Sequence, residues 1–168
     1  MKAKLIVEGK EFDIEINNPE LEKLVNPPKK TGYERVEFGD KCYYDDWVEV
    51  RSGKDAYDDV DNDYYDVANY YSDETLAENN ARADRLMRQL RRFAVEHREK
   101  DITWDSENIT SKYYIRFGHG DESMWAECEL LGQGFGEILF DSKEACRLAI
   151  NTFRDELIWY FTEYKDSL

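Results

Sequence analysis

At two places, near residue 72 and near residue 141, the apolar residues change from a period of two to a helical period, and this limits the fold more than any other feature. From Tyr71 to Lys100 the chain reads "YSDETLAENNARADRLMRQLRRFAVEHREK". With successive residues turned by about 100°, Leu76, Ala83, Leu86, Met87, Leu90, Phe93, Ala94 and His97 fall on one side of a cylinder. Ser72 or Asp73 supplies a cap, so the spacing predicts a helix from about Glu74 to about Arg98. The second change opens "DSKEACRLAINTFRDELIWYFTEY", with Asp141 or Ser142 as cap. Its stripe of Ala145, Leu148, Ala149, Phe153, Leu157, Tyr160 and Tyr164 is widened by Ile150, Ile158, Trp159 and Phe161. A helix apolar on more than one side is buried on more than one side, either centrally in its own fold or against another chain, most simply as a two-fold homodimer. The homodimer is the expectation.

Ahead of each helix the pattern is that of short strands: "YERVEF", "KCYYDDWVEVR" and "YYDVANYY" before the first, "KYYIRF", "MWAECELL" and "EILF" before the second. "NYYSDETLAENNA" from Asn69 and "ILFDSKEACRLAI" from Ile138 each place an aromatic strand end, two capping residues and small apolar helix positions in one register, an internal echo. At the N-terminus Leu5 and Val7, a turn at Glu8-Gly9-Lys10, and Phe12, Ile14 and Ile16 predict a hairpin; Asn18 and Pro19 open a short helix through Leu24. "NPPKKTG", Asn26 to Gly32, is a stiff connector. The expected class is α+β: an antiparallel sheet with two main α-helices and an N-terminal β-hairpin appendage. Residues 1–26 form the appendage, 27–32 the linker and 33–168 the main domain.

A formal charge of −15 excludes a simple phosphate-binding protein, because such affinity comes from Lys and Arg releasing counterions; it favours basic partner surfaces instead. Cys42, Cys128 and Cys146 form no CxxC pair and are odd in number, which argues against a disulfide framework or a zinc site and fits a reducing cytoplasm. The first residues alternate charged with apolar and lack a signal peptide's apolar run, and no stretch approaches the roughly 20 apolar residues of a membrane span. The expectation is a cytoplasmic protein with no membrane contact, in which Asn108 of Asn-Ile-Thr is not glycosylated.

Between Asp40 and Asp66 acids outnumber bases by seven, and "YDDVDNDYYD" from Tyr57 to Asp66 is the densest part. Asp59, Asp61 and Asp63 alternate as in the opening of an EF-hand loop, but Tyr64 stands where glycine is needed and Tyr70 where the closing glutamate belongs, so no metal and no cofactor is expected. Catalysis has little to stand on. His97 reads as a structural histidine, His119 beside Asp121 and Glu122 is the one acid–base candidate, no nucleophile motif is present, and Gly132, Gly134 and Gly136 precede a strand where a phosphate-cradling loop would follow one. The chain is not expected to be an enzyme.

Two surfaces remain. The partner-binding candidate comprises Tyr43, Asp45, Asp46, Trp47, Asp58, Asp59, Asp61, Asp63, Tyr64 and Tyr65, whose carboxylates would take the place of phosphates against the arginines of a nucleic-acid channel while the aromatics anchor. Against it stands a solvated acidic loop. The other candidate is the basic run Arg82, Arg85, Arg88, Arg91 and Arg92, with Arg85, Arg88 and Arg92 as nucleic-acid-binding residues. Against it stand ordinary four-residue pairs, Glu78 to Arg82, Asp84 to Arg88 and Arg92 to Glu96.

The segments "KAKLIVEGKEFDIEI", "KKTGYERVEFGDKCYYDD", "NYYSDETLAENNARADRLMRQLRRF" and "GEILFDSKEACRLAINTFRDELIWYF" together resemble small acidic proteins carried by prophages of Firmicutes. The resemblance covers nearly the whole chain, and its motifs are structural. It implies a phage-encoded protein working inside the host cell, of the kind that blocks host defence, anti-CRISPR proteins among them, with a CRISPR effector nuclease as partner. The arginine-rich helix departs from the simplest mimics of DNA and adds nucleic acid as the alternative partner. A structural or regulatory prophage protein is the third reading.

Overall fold

In a computed structural model, which describes residues 2–7, 9–15, 19–21, 27, 29–104 and 109–164, the chain is α+β, with antiparallel pairing throughout. The strands form three separate two-stranded ladders. The first is the N-terminal hairpin, β1 (Lys2–Val7) against β2 (Lys10–Glu15), with Leu5 opposite Phe12 and Gly9 turning at a positive φ of 78°. Pro19 to Leu21 are helical; the rest of the short helix expected through Leu24 lies outside the described residues.

The other two ladders open two units built alike. In the first, β3 (Lys41–Asp45) pairs with β4 (Val50–Lys54), the chain returns through α1 (Asp59–Asp66), and Tyr71 bridges to Tyr43 by reciprocal 2.9 Å bonds before α2 (Glu74–Glu96) begins at the Asp73 cap. In the second, β5 (Lys112–Gly118) pairs with β6 (Ser123–Glu129), and Phe140 bridges to Tyr113 at 2.9 and 2.8 Å before α3 (Lys143–Thr152) begins at the Ser142 cap. Six residues beyond each bridge stands a side chain with no exposure, Ala77 and Cys146; ten beyond stand the buried Ala81 and Ile150. The internal echo is thus realised as hairpin, bridging aromatic, cap and helix, twice over. "EILF" contributes only the Phe140 bridge, "YYDVANYY" only that of Tyr71, and "YERVEF" forms no strand.

The long α2 serves both units. Near its start, small Ala77 and Ala81 let it approach the first hairpin; farther on, Leu86, Leu90, Phe93 and Ala94 enter a core with Phe140, Ala145, Cys146, Ala149 and Ile150 of the second unit. The last helical stretch is broken at Phe153. That residue leaves helical torsions (φ −108°, ψ 21°), places its ring edge-on against Phe93 at 5.6 Å, and starts α4 (Arg154–Thr162) in a new direction. The bend buries Leu157 and Trp159, stacks Phe161 on Phe117 at 4.8 Å, and sets the Arg82 guanidinium 3.9 Å from the Trp159 ring. Of the broad apolar face behind the homodimer expectation, Ala145, Ala149, Ile150, Leu157 and Trp159 are buried within the chain, Phe153, Ile158, Tyr160 and Phe161 are half-buried and Leu148 is exposed. No helix among the described residues is long and apolar enough to cross a membrane.

The expected strand at 33–38 is replaced by a loop whose polar side chains turn inward. Glu34 accepts from the Thr31 and Gly32 amides; the Thr31 amide first, then its own amide, the Thr31 hydroxyl and the Gly32 amide hold its carboxyl down to about 2. Gly32 itself needs to be glycine: its φ is +91°, and a Cβ there would meet Leu76 Cδ2 at 2.6 Å. Beside it, Arg35 reaches Asp55, which is fully buried at the end of β4. Asp55 Oδ2 accepts from Arg35 Nε (2.9 Å) and Tyr70 Oη (2.7 Å), and Oδ1 from Arg35 Nη2 (3.1 Å) and the Tyr57 amide (2.8 Å). A buried carboxylate is tolerable only with bonds of this number and kind.

The Arg35 bonds, then Tyr70 and the Tyr57 amide, hold the Asp55 carboxyl well below its ordinary value of 3.8. Its stabilising contribution is present above that value and lost as pH falls through and below it. Removing one partner of a fully buried pair costs about 3–5 kcal/mol; since Arg35 keeps 25 % side-chain exposure, Asp55→Asn is expected to cost about 2 kcal/mol in urea unfolding at pH 7 and to flatten the loss of stability on acidification. Burial pushes the Cys146 thiol up to about 12 and raises that of Cys42, whereas Cys128 is exposed. A thiol reagent should modify one cysteine rapidly in the native protein and all three after denaturation; two or three fast thiols would contradict the packing.

Candidate functional site

The acidic stretch is neither a loop nor a strand edge. Asp58 caps α1 by accepting from the Asp61 amide at 2.9 Å, and Asp59 and Asp61 lie in the first turn, where the helix dipole favours anions. Eight residues with no buried side chain are too short to hold helix alone. Side chains fix it to the rest of the first unit: Tyr64 stacks on Tyr44 (4.5 Å, 17°), Tyr65 meets Tyr70 edge-on at 5.5 Å, Asn62 Oδ1 accepts from Arg35 Nη1 at 2.6 Å, and Asp61 accepts from the Ala56 amide at 2.6 Å. Arg35 also lies over the rings of Tyr57 (4.5 Å) and Tyr65 (5.6 Å).

This divides the aspartates. Asp58 and Asp61 hold backbone amides in place. Asp59, Asp63 and Asp66 are exposed and have neither an ion-pair nor a hydrogen-bond partner among the described residues. At spacings of four and three they share a face about 60° wide and, at about 1.5 Å per residue, about 10 Å long. Asp66 ends the helix, where the backbone dipole is already negative and no basic side chain answers it. Such a face attracts cations from outside.

The aromatics expected as free anchors are mostly engaged internally. Tyr43 lies in β3, bridges to Tyr71 and carries the Lys41 ammonium at 4.5 Å; Tyr64 and Tyr65 pin α1. Trp47 is different. Asp45 Oδ1 accepts from the Trp47 amide at 2.9 Å, and Asp46 Oδ1 from Val48 and Glu49 at 3.2 and 3.1 Å, closing a tight β3–β4 turn. The Glu49 amide first, then the Arg51 ion pair, lowers the Asp46 carboxyl. The turn throws Trp47, at a left-handed φ of 77°, and Val48 outward with 76 % and 78 % exposure.

Trp47 therefore stands beside the arginines of α2, and it also borders Val67 and Ala68, where the acidic helix ends. The Arg88 guanidinium lies 5.8 Å from its ring, and Arg85 Nη2 donates to the Val48 carbonyl at 3.2 Å. An open groove of about 450 Å³ is lined by Trp47, Val48, Arg85, Arg88, Gln89 and Arg92, with no carboxylate among them. Of the four-residue pairs expected along α2, only Arg92 to Glu96 forms, at 3.7 Å between exposed groups. Arg82 instead makes a fork to Glu156 at 2.8 and 3.0 Å.

His97 has the structural role expected of it, and the one acid–base candidate, His119, packs on a neighbouring ring. His97 Nδ1 lies 2.9 Å from the Phe93 carbonyl and its ring stacks on Phe93; His119 meets Phe117 edge-on, while Asp121 accepts from the Ser123 amide and hydroxyl. At the glycine-rich turn, Glu129 Oε1 already occupies the amides of Leu130, Leu131 and Gly132 at 2.8, 3.2 and 3.2 Å, the donors a phosphate would need. No group of three or more His, Cys, Asp or Glu among the described residues is placed to hold a metal ion. Arg35, Asp55 and Asn62, which position α1, escaped the sequence reading; a lone arginine in an apparent strand was the one trace.

No family model, no curated protein and no solved structure matches this chain. The sites thus rest on geometry. Tyr64→Ala removes the Tyr44 stack, and the amides of α1 are expected to exchange hydrogen at least tenfold faster while those around Leu86 and Leu90 keep their protection; unchanged α1 exchange would show that the stack does not hold the helix.

Proposed function

We propose that this chain is a phage-encoded, non-catalytic inhibitor of a host nucleic-acid-targeting defence protein, with a CRISPR effector nuclease as the case to test. The observation that carries the reading is the α1 face: Asp59, Asp63 and Asp66 exposed on one side of a short helix held by side-chain ties, with no cation supplied by the described residues. Three carboxylates over about 10 Å of a held helix offer the guanidinium groups of a basic channel what phosphates offer them, charge-assisted and bidentate bonds. Because the helix that carries the carboxylates is held before binding, the partner need not supply the energy to order its backbone. A net charge of −15 steers the approach.

The test is competition. Increasing amounts of the protein should displace target DNA from a purified, guide-loaded CRISPR effector nuclease, and displacement should weaken as salt is raised. Asp59→Asn, Asp63→Asn and Asp66→Asn combined should weaken displacement on the order of tenfold or more, with an unchanged urea midpoint because none of the three makes an internal bond. Asp58 and Asp61 are left alone because they hold the helix. The reading fails if the wild-type protein leaves DNA binding untouched or the triple variant competes equally well.

A further inference from the structure

We infer that the groove between the Trp47 turn and α2 is a binding site for single-stranded nucleic acid, separate from the acidic helix. In a chain that carries −15 overall, the groove is lined by three arginines, an amide, a tryptophan and a valine, and by no acid. Arg85, Arg88 and Arg92 stand at spacings of three and four, so their side chains leave one face of α2 along about 10 Å of helix. Arg88 makes no ion pair among the described residues, Arg85 donates to the Val48 carbonyl and feels only the longer-range field of Glu156, which Arg82 already holds, and the partner of Arg92, Glu96, is exposed at 3.7 Å. Guanidinium groups so arranged are suited to successive phosphates of one strand.

Trp47 supplies the second half of the recognition. Its indole is 76 % exposed, held out by the turn that Asp45 and Asp46 close. The Arg88 guanidinium lies to one side of the ring at 5.8 Å. A base can stack on the indole while its phosphates run along the arginines, the combination of aromatic platform and basic track used for single strands. A duplex keeps its bases stacked on one another and has no free face to offer. An acidic peptide would satisfy the arginines but leave the indole unused, which decides between the two ligands. The acidic α1, whose end at Val67 borders Trp47, lowers affinity through repulsion that salt screens over about 8 Å at physiological strength.

Fluorescence anisotropy with labelled single strands of about 12 nucleotides, DNA and RNA of one sequence, reads this out. Both should bind, since the groove addresses phosphates and base faces, and a duplex of the same sequence should bind more weakly. The slope of log affinity against log salt should be about −2 for three phosphate contacts. Arg85→Gln with Arg88→Gln should flatten that slope by about 1.4; Trp47→Ala should weaken binding at least fivefold at unchanged slope, and Trp47→Phe should recover part of the loss. The Asp59, Asp63 and Asp66 variant should bind the strands at least as well as the wild type, so this site and the proposed inhibitory surface can fail independently. The proposal is overturned by absence of binding at low salt, by Trp47→Ala binding as tightly as wild type, or by polyglutamate competing as well as the oligonucleotide.

Discussion

The Arg35–Asp55 pair is the constraint on which the first half of the molecule depends. Asp55 directly follows β4 with its carboxylate out of solvent, and its four accepted bonds gather the 33–38 loop, the entry to α1 and the Tyr70 ring around one point. Arg35 carries the arrangement outward by donating to Asn62 on α1 and lying over Tyr57 and Tyr65. A hydrophobic cluster could fill the same volume, but it would not set the rotation of a helix with no buried side chain of its own. Directional bonds can, and the direction in which Asp59, Asp63 and Asp66 point follows from them.

That constraint also sorts the charge. A chain with a large acidic excess would ordinarily scatter its arginines among carboxylates as local pairs. Here Arg35, Arg51 and Arg82 are consumed in that way, by Asp55, by Asp46 and Glu49, and by Glu156. Arg85, Arg88 and Arg92, the last with only a 3.7 Å exposed contact to Glu96, lie along one face of α2, while three carboxylates of α1 go unanswered among the described residues. The turn bearing Trp47 stands against the arginine face: Asp45 and Asp46 each spend a carboxylate oxygen on its amides, and the other oxygen of Asp46 pairs with Arg51, not with the arginines of α2. Two surfaces of opposite sign result, and they can be addressed by different partners.

The sequence made the helices legible and left the side-chain network unread, for one physical reason. Periodicity reports which side of a regular element faces apolar surroundings, and α2 and the Asp73 and Ser142 caps were visible because they are regular. Tyr33 to Phe38 alternates like a strand, but Glu34 and Arg35 there bond to partners from 2 to 38 positions away, and no local pattern encodes that. The same holds for "YDDVDNDYYD". Aspartates and tyrosines have poor helix propensity, so the run reads as loop or strand; a cap, a stack and one long-range arginine bond overrule propensity. Trp47 was grouped with the acids beside it in sequence, whereas in space the β3–β4 turn leaves its ring exposed with the Arg88 guanidinium 5.8 Å away, a proximity that no local pattern encodes.

The repeated unit shows how such a surface can be built without disturbing the core. Both units need the hairpin, the aromatic bridge, the cap and the small residue six positions on, since these set how closely the helix lies on its strands. Even the residue before each bridged tyrosine is buried in both, though its chemistry differs: Cys42 in the first and, in the second, Lys112, whose ammonium donates to the Thr110 and Leu130 carbonyls beside the Trp104 ring. What is free to vary is the stretch between the hairpin and the bridge. In the second unit it is a glycine-rich turn clasped by Glu129; in the first it is α1. The acidic helix thus occupies the position in the unit that the core does not use, where charge can be concentrated at little cost to packing.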